Sequence, residues 1–516
     1  MQLFWHRRDL RVSDNRGLAA AVAAAPDRGP VVPLFVLDPP VLEHAAPPRV
    51  AFLLDALAAL RERYRERGSD LLVLEGEATG LLGDLAVAVD ADRVVWNEDY
   101  SGLARERDEA ARATLEDVGV EFASHQDAVL HHPDSIRTNQ GDPYSVYSYY
   151  WKKWRDREKA PPAPAPEDSA LVDADRLRDL VSDVDLDADG QFHETLPTLE
   201  DLGFDAPEAD VPDAGTDVAR GLLGNFCAGD VFRYEEAREY PARDATSRLS
   251  PHLKFGTIGP REVWGATVEA RADAADGGES VDEGDGDGSA DAEESADAEE
   301  SADADAGRAS SVETFQSQLA WREFYTQVLY HHPRVVTENY SDYANPIEWR
   351  EDEAALQAWK DGETGYPIVD AGMRQLRAEA WMHNRVRMIV ASFLTKDLLL
   401  DWRAGYAWFR EKLVDHDTAN DNGGWQWAAS TGTDAQPYFR IFNPTTQGER
   451  YDPDAEYVRR YVPELRDVDA EAIHDWPDLD PDRRQELAPG YPAPIVDHAE
   501  RRERAIELFE RARGEE

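Results

Sequence analysis

Hydrophobic and polar positions follow two rhythms along this chain. Through residues 1–131, short apolar runs alternate with amphipathic stretches. Leu3-Phe4-Trp5, Val31 to Leu37, Leu71 to Leu74 and Val94 to Trp96 read as buried strands. Val50 to Arg67 and Ala104 to Val118 read as helices with one apolar stripe. Such alternation predicts a parallel, doubly wound, Rossmann-like sheet. Residues 132–205 read as a linker, because Pro161-Pro162-Ala163-Pro164-Ala165-Pro166 can form neither helix nor central strand. From 206 to 500 the pattern is helical, and 501–516 reads as a C-terminal helix or tail. The fold class expected is an α/β domain followed by an all-α domain.

The helical part is organised around Tyr366 to Tyr451. There Trp381-Met382-His383-Asn384-Arg385, Asp415-His416-Asp417 and Asn422-Gly423-Gly424-Trp425-Gln426-Trp427 interleave at helical spacing with few breakers before residue 422. An ordinary core helix turns Leu, Ile and Val inward. This stretch turns inward groups that stack and hydrogen-bond, which suits a buried, planar, polar ligand. An aromatic-rich core is the plain alternative.

Charge complicates that picture. The net charge is −50, whereas a nucleic-acid binder is expected to be basic. The reading that reconciles the two is a solvated acidic coat of the halophilic kind over a local basic patch, since arginine clusters within the key stretch. The segment 271–310 is almost wholly Asp, Glu, Ala, Gly and Ser and reads as a disordered insertion. A single cysteine, Cys227, and a charged N-terminus point to a cytoplasmic protein, taken as a monomer.

Dinucleotide and phosphate-loop readings of the first domain fall, because neither GxGxxG nor GxxxxGK[ST] follows a strand; CxxC, HExxH and GxSxG are also missing. Thr246-Ser247-Arg248-Leu249-Ser250 offers hydroxyls, backbone N–H groups and a guanidinium in one turn, the groups a pyrophosphate needs. A helix cap would use the same residues. Tyr144 to Trp154 is aromatic and basic; it could touch nucleic acid, but packing at the domain interface is the expectation.

On these motifs the chain resembles the photolyase/cryptochrome family from Phe4 nearly to its C-terminus, most closely microbial class I cyclobutane pyrimidine dimer photolyases. The resemblance implies an antenna domain over 1–131 and an FAD-binding helical domain. It makes Trp5 to Arg11, with Asp14-Asn15, the family's opening, expected to be architectural. It makes residues 246–250 an FAD phosphate loop, with Tyr234 as a second phosphate or ribose contact. Gln318, Trp321, Arg322 and Tyr325 would lie along the flavin. Arg387 and Asp415 would pair beside the ring, and Asn384, Asp415, His416 and Asp417 would line the cofactor. Trp425, Trp402 and Trp349 match an electron relay.

UV-damaged DNA is the implied partner. Trp321, Trp427, Asn384 and Met388 would line the lesion pocket, with Gln318 against the bases and Arg238, Arg385 and Arg440 on phosphates or the rim. Two positions depart from the family pattern. Asp421 stands where most such photolyases place the asparagine facing flavin N5, and plant cryptochromes also carry Asp there; a carboxyl in a dry site can stay protonated and donate a hydrogen bond. Gln318 replaces a glutamate, as in (6-4) photolyases. Cryptochrome-type signalling without repair and (6-4) repair are therefore the alternatives. For the antenna, Arg49, Asp99 and Lys254 favour a deazaflavin over folate or FMN.

Overall fold

The computed structural model describes residues 1–182, 184, 186, 190–276 and 293–515. The first domain is built on β1 (Gln2–His6), α1 (Arg16–Arg28), β2 (Val31–Leu37), α2 (Pro47–Arg65), β3 (Leu72–Glu75), α3 (Ala78–Ala88), β4 (Arg93–Asn97), α4 (Gly102–Asp117) and β5 (Glu121–His125). Together with β6 (Gln191–Phe192), these strands form a six-stranded sheet in the order β5-β4-β1-β2-β3-β6. The first five strands pair in parallel. Alternate side chains feed two separate cores. Leu3, Trp5, Val32 and Leu34 pack under α3 and α4, while Phe4, Val31, Phe35 and Leu37 pack with α1 and α2. Both faces are thus covered, as the near-continuous apolar strands require.

The expected linker is more than a tether. Its β6 joins β3 antiparallel, and Val172 and Leu177 are buried in the sheet's core. Leu177 belongs to α6 (Ala174–Ser182), which follows Val172. Upstream, α5 (Tyr147–Asp156) buries Tyr150 and Trp154 against the helical domain, with Trp154 Nε1 donating to Glu323 Oε2 at 2.7 Å. The packing role expected for this aromatic segment is what its inner face does.

The helical domain contains α7 (Thr216–Ala228), α8 (Ser250–Phe255), α9 (Pro260–Asp276) and α10 (Glu293–His331), a helix of 39 residues. Of the acidic insertion expected over 271–310, residues 277–292 lie outside the described residues; the flanks extend α9 and α10. Next come α11 (Glu353–Asp361), α12 (Pro367–Glu379), α13 (Asn384–Ser392), α14 (Trp402–Lys412), α15 (Thr418–Ala428) and α16 (Pro444–Tyr451). The last helix, α17 (His498–Arg513), begins a little before the expected tail.

The stretch that looked nearly unbroken from 366 to 422 is therefore several helices. Its interruptions are local and chemical. Ala380 takes a left-handed φ of 50° after α12. His383, Asp401 and Asp417 then cap the starts of α13, α14 and α15, each accepting a backbone N–H. These residues look like ordinary polar positions in sequence; they act as stops because their side chains reach the orphan N–H groups of the next helix.

A dry ionic lattice joins the two domains. Arg11 and Arg261 both reach Asp127, and Arg261 also reaches Asp14 at 2.6 Å; all four side chains are 2% exposed or less. This is the architectural role expected of the opening motif.

Candidate functional site

Helices α10 and α15 cross in antiparallel register. Leu329 packs with Ala419. One turn along, Gly423 meets the Tyr325 ring so closely that a Cβ there would lie 2.1 Å from it. By that register Trp321 and Trp427 fall on the next turn of their helices. Trp321 is stacked on Tyr147 at 3.6 Å and 10° between ring planes. That contact backs one face of the indole, and the ring remains partly exposed. Trp427 is likewise partly exposed, with Phe442 at 6.4 Å. Asn384, at the start of α13, is exposed, and Met388 one turn later is half-buried.

Deeper between α13 and α15 sits a charged group. Arg387 grips Asp415 through Nη2, at 2.7 and 3.0 Å, and its Nη1 lies 3.7 Å from Asp421. Burial opposes the charge of Arg387, but Asp415 and Asp421 raise its pKa overall. Asp421 has a close partner: its Oδ2 is 2.6 Å from His416 Nδ1. Asp417, the cap of α15, takes Arg8 Nη2 at 2.9 Å, and Arg8 reaches Asp99 at 3.2 Å through its other arm. Burial disfavours ionisation of Asp417, yet Arg8, Lys254 and Arg322 hold its carboxyl far below the usual range. Burial also opposes ionisation of Asp99, which Arg8, Arg7 and Lys254 bring down to about 2. Lys254 is pushed down to about 8 by burial, with Arg8 adding to the effect.

These groups are strongly desolvated, yet several keep accessible surface: Arg8 21%, Arg387 18%, Asp417 15%. Charged side chains deep in a domain that remain accessible line an internal space. Around that space, His383 Nε2 and Trp425 Nε1 are buried without a hydrogen-bond partner. Buried donors without partners are costly, and an anionic, ring-bearing ligand would satisfy them. The residues present fit FAD.

Other expected contacts are placed differently. In the 246–250 loop, Arg248 takes a φ of 49°, binds Asp244 at 2.9 Å and Glu379 at 3.3 Å, and lies over Trp381 at 4.3 Å. Ser250 accepts from Trp381 Nε1 at 3.2 Å; Thr246 and Ser247 stay half-buried and Leu249 is buried. Tyr234 is buried against Phe226 and Phe315, with Arg238 over its ring at 5.4 Å. Arg322 donates to the carbonyls of Ala128 and Leu253. Gln318 bonds within its own helix, to Thr314 O and Ser317 Oγ. Arg385 pairs with Glu239 and lies over Tyr451 at 4.3 Å. Of the antenna candidates, Asp99 and Lys254 share the Arg8 cluster, whereas Arg49 caps the end of α14 through the carbonyls of Arg410 and Leu413.

Each of the three matched tryptophans has aromatic neighbours of its own. Trp425 neighbours Phe409 at 5.0 Å and Trp359 at 6.0 Å, Trp402 neighbours Tyr406 at 6.1 Å, and Trp349 neighbours Phe509 at 5.9 Å. Trp381 and Arg8 were missed as site residues. The only signal for Arg8 was strand-like alternation: Arg7 turns into its own domain, to Asp108, so Arg8 turns toward the other.

Residues 2–167 match the family model for DNA photolyase, and residues 315–511 match that for the FAD binding domain of DNA photolyase. A deoxyribodipyrimidine photo-lyase of Halobacterium salinarum is 61% identical over all of both chains. The chain belongs to the DNA photolyase family. Another relative, from Synechococcus, is 40% identical over 98% of this chain and 96% of its own. Among solved structures, a class III photolyase from Agrobacterium tumefaciens superposes with a TM-score of 0.80 at 35% identity, covering 99% of this chain and 98% of that one. An archaeal photolyase from Sulfolobus tokodaii, described with two FAD molecules, gives 0.75 at 30% identity and 99% coverage of each chain. The helical half is thus the family's FAD-binding domain, and the sheet half its photolyase domain. No helix among the described residues is long and apolar enough to cross a membrane.

Proposed function

We propose that this member of the family is a light-dependent DNA-repair flavoenzyme that splits cyclobutane pyrimidine dimers. The observation that supports the reading is the α10–α15 crossing, whose register puts Trp321 and Trp427 one turn beyond the Tyr325–Gly423 contact, together with the Arg387–Asp415–Asp421 group between α13 and α15. Bound FAD, when reduced, supplies the light absorption and the electron that opens the lesion's ring. The protein's own residues do the rest. Arg387 and Asp415 hold the ring region, and the 246–250 loop with Arg248 and Tyr234 holds the phosphate end. Trp321, braced by Tyr147, stacks a flipped base against the pocket wall. Arg238, Arg385 and Arg440 take backbone phosphates. Trp425, Trp402 and Trp349 are the route by which an electron enters from the surface. Asp99 and Lys254 support a deazaflavin antenna, and a second FAD is the alternative raised by the Sulfolobus relative. The partner is ultraviolet-damaged DNA, met by a monomer at high salt.

The deciding assay illuminates reduced protein with cyclobutane-dimer DNA and with (6-4) DNA in high salt. Restored pyrimidines are expected from the first substrate alone. Restoration from neither would leave the signalling reading that Asp421 and Gln318 favour.

The relay has its own test. Trp425→Phe should slow light-driven reduction of bound FAD at least tenfold while chemically pre-reduced enzyme repairs at nearly the parental rate. Equal slowing of both would remove Trp425 from the relay.

A further inference from the structure

His416 and Asp421 form a short hydrogen bond that the family motif does not explain. Nδ1 lies 2.6 Å from Oδ2, and the two side chains are 7% and 9% exposed. The spacing straddles the start of α15, so the contact is not a repeat of one helix face. The second carboxylate oxygen, Oδ1, lies 3.7 Å from Arg387 Nη1.

The charges facing this pair decide where its proton sits. From α13 comes Arg387, and from α2 comes Arg49, which senses both Asp421 and Asp415. From α8 comes Lys254, which acts on His416. Tyr406 of α14 faces the pair, its ring 5.6 Å from His416, and Arg410 follows on the same helix. From the loop itself come Asp415, held by Arg387, and Asp417, held by Arg8. Around Asp421, the carboxylates of Asp421 and Asp415 therefore face Arg387 and Arg49, with Lys254 and Arg410 adding further positive charge nearby. Were Asp421 protonated and donating to Nδ1, Arg387 and Arg49 would face Asp415 alone, leaving excess positive charge in a desolvated site. Burial also pushes His416 below its ordinary value, against the opposing pull of Asp421. A neutral imidazole that donates to a carboxylate through Nδ1 must carry its single proton on that nitrogen.

We propose that His416 is a positioning residue that fixes Asp421 as a hydrogen-bond-accepting carboxylate at the flavin ring edge, with the shared proton on His416 Nδ1. This rests on the flavin reading above. In consequence the group at the ring edge accepts a hydrogen bond at neutral pH and has no proton of its own to give. No electron passes through the pair.

The test reads the proton directly, in FAD-loaded protein and without reference to repair. Nitrogen-15 NMR of ring-labelled histidine, with the His416 signal identified by its loss in His416→Gln, is expected to show a protonated Nδ1 and a bare Nε2 at pH 7. An Nε2–H tautomer, or a doubly protonated ring, overturns the proposal. Infrared difference spectra supply a second measurement. Wild type and Asp421→Asn should match in the protonated-carboxyl region. A wild-type band there that Asp421→Asn lacks would mean that the carboxyl holds the proton, and the proposal fails. Neither readout depends on lesion splitting. A protein that shows the expected tautomer but repairs nothing would therefore sink the repair reading and leave this one standing.

Discussion

Arg387→Met is expected to strip FAD from the protein and to cost about 3–5 kcal/mol of stability, the range for removing one partner of a buried ion pair. The substitution keeps the chain's length and flexibility but leaves Asp415, whose side chain is 2% exposed, and Asp421 with Arg49 as the guanidinium that remains near both. It also frees Met382 O, which accepts from Arg387 Nε at 2.8 Å. Unfolding by denaturant, followed with and without added FAD, separates the two losses. The apo-protein should already show a lowered midpoint, because the carboxylates repel whether or not cofactor is present. Arg387→Lys keeps the charge but cannot make the two-pronged contact, so it should fall between Met and wild type. An apo-protein as stable as wild type would show that this pair does not hold the pocket floor.

How much of this could be read beforehand differs by element. The buried strands β1 to β4 stood out because an apolar run of that length, bounded by turn residues, has few other uses. Helix α1 was not seen: its Leu-Ala-Ala-Ala-Val-Ala-Ala-Ala run carries no clear apolar stripe, and Pro26 lies within it. Strand β5 is an edge strand with half-exposed side chains, and β6 is only two residues long, so neither carries a period. Family likeness, not periodicity, pointed to Arg387, Asp415 and Trp321. The contacts it did not supply all cross between elements. Arg8 reaches Asp417 across 409 positions, and Trp381 reaches Ser250 across 131. Such pairs have no sequence spacing to betray them. The same holds for the acidic composition: a net charge of −50 argued against DNA, yet it says nothing of where the arginines gather.

The way those arginines are held bears on recognition. Arg238 and Arg385 share Glu239. A guanidinium already paired at the rim gives up little affinity when salt rises, because its counter-charge is built in and fewer ions are released on binding DNA. On the proposed reading, affinity in concentrated salt comes mainly from contacts that salt does not screen, of which stacking on Trp321 is the strongest.

Trp321→Ala should therefore cost more lesion affinity than any single rim arginine. Stacking on an aromatic side chain is worth about 1–3 kcal/mol per base, so a loss of roughly 5- to 150-fold in affinity for dimer-containing DNA is expected, while FAD content stays near wild type. Tyr147 refines the expectation. Its ring lies flat against the indole at 3.6 Å, which sets the indole plane before any base arrives, while its hydroxyl donates to Ser317 O at 2.6 Å. Tyr147→Phe keeps the ring and should change little; Tyr147→Ala frees the indole and should lose part of what Trp321→Ala loses. Because the two act on one surface, the double variant should be no worse than Trp321→Ala alone. Binding is best measured in molar salt with matched undamaged DNA as the reference, where Trp321→Ala should leave affinity unchanged. Equal weakening for damaged and undamaged DNA would make Trp321 a general backbone contact and take the clamp out of this pocket.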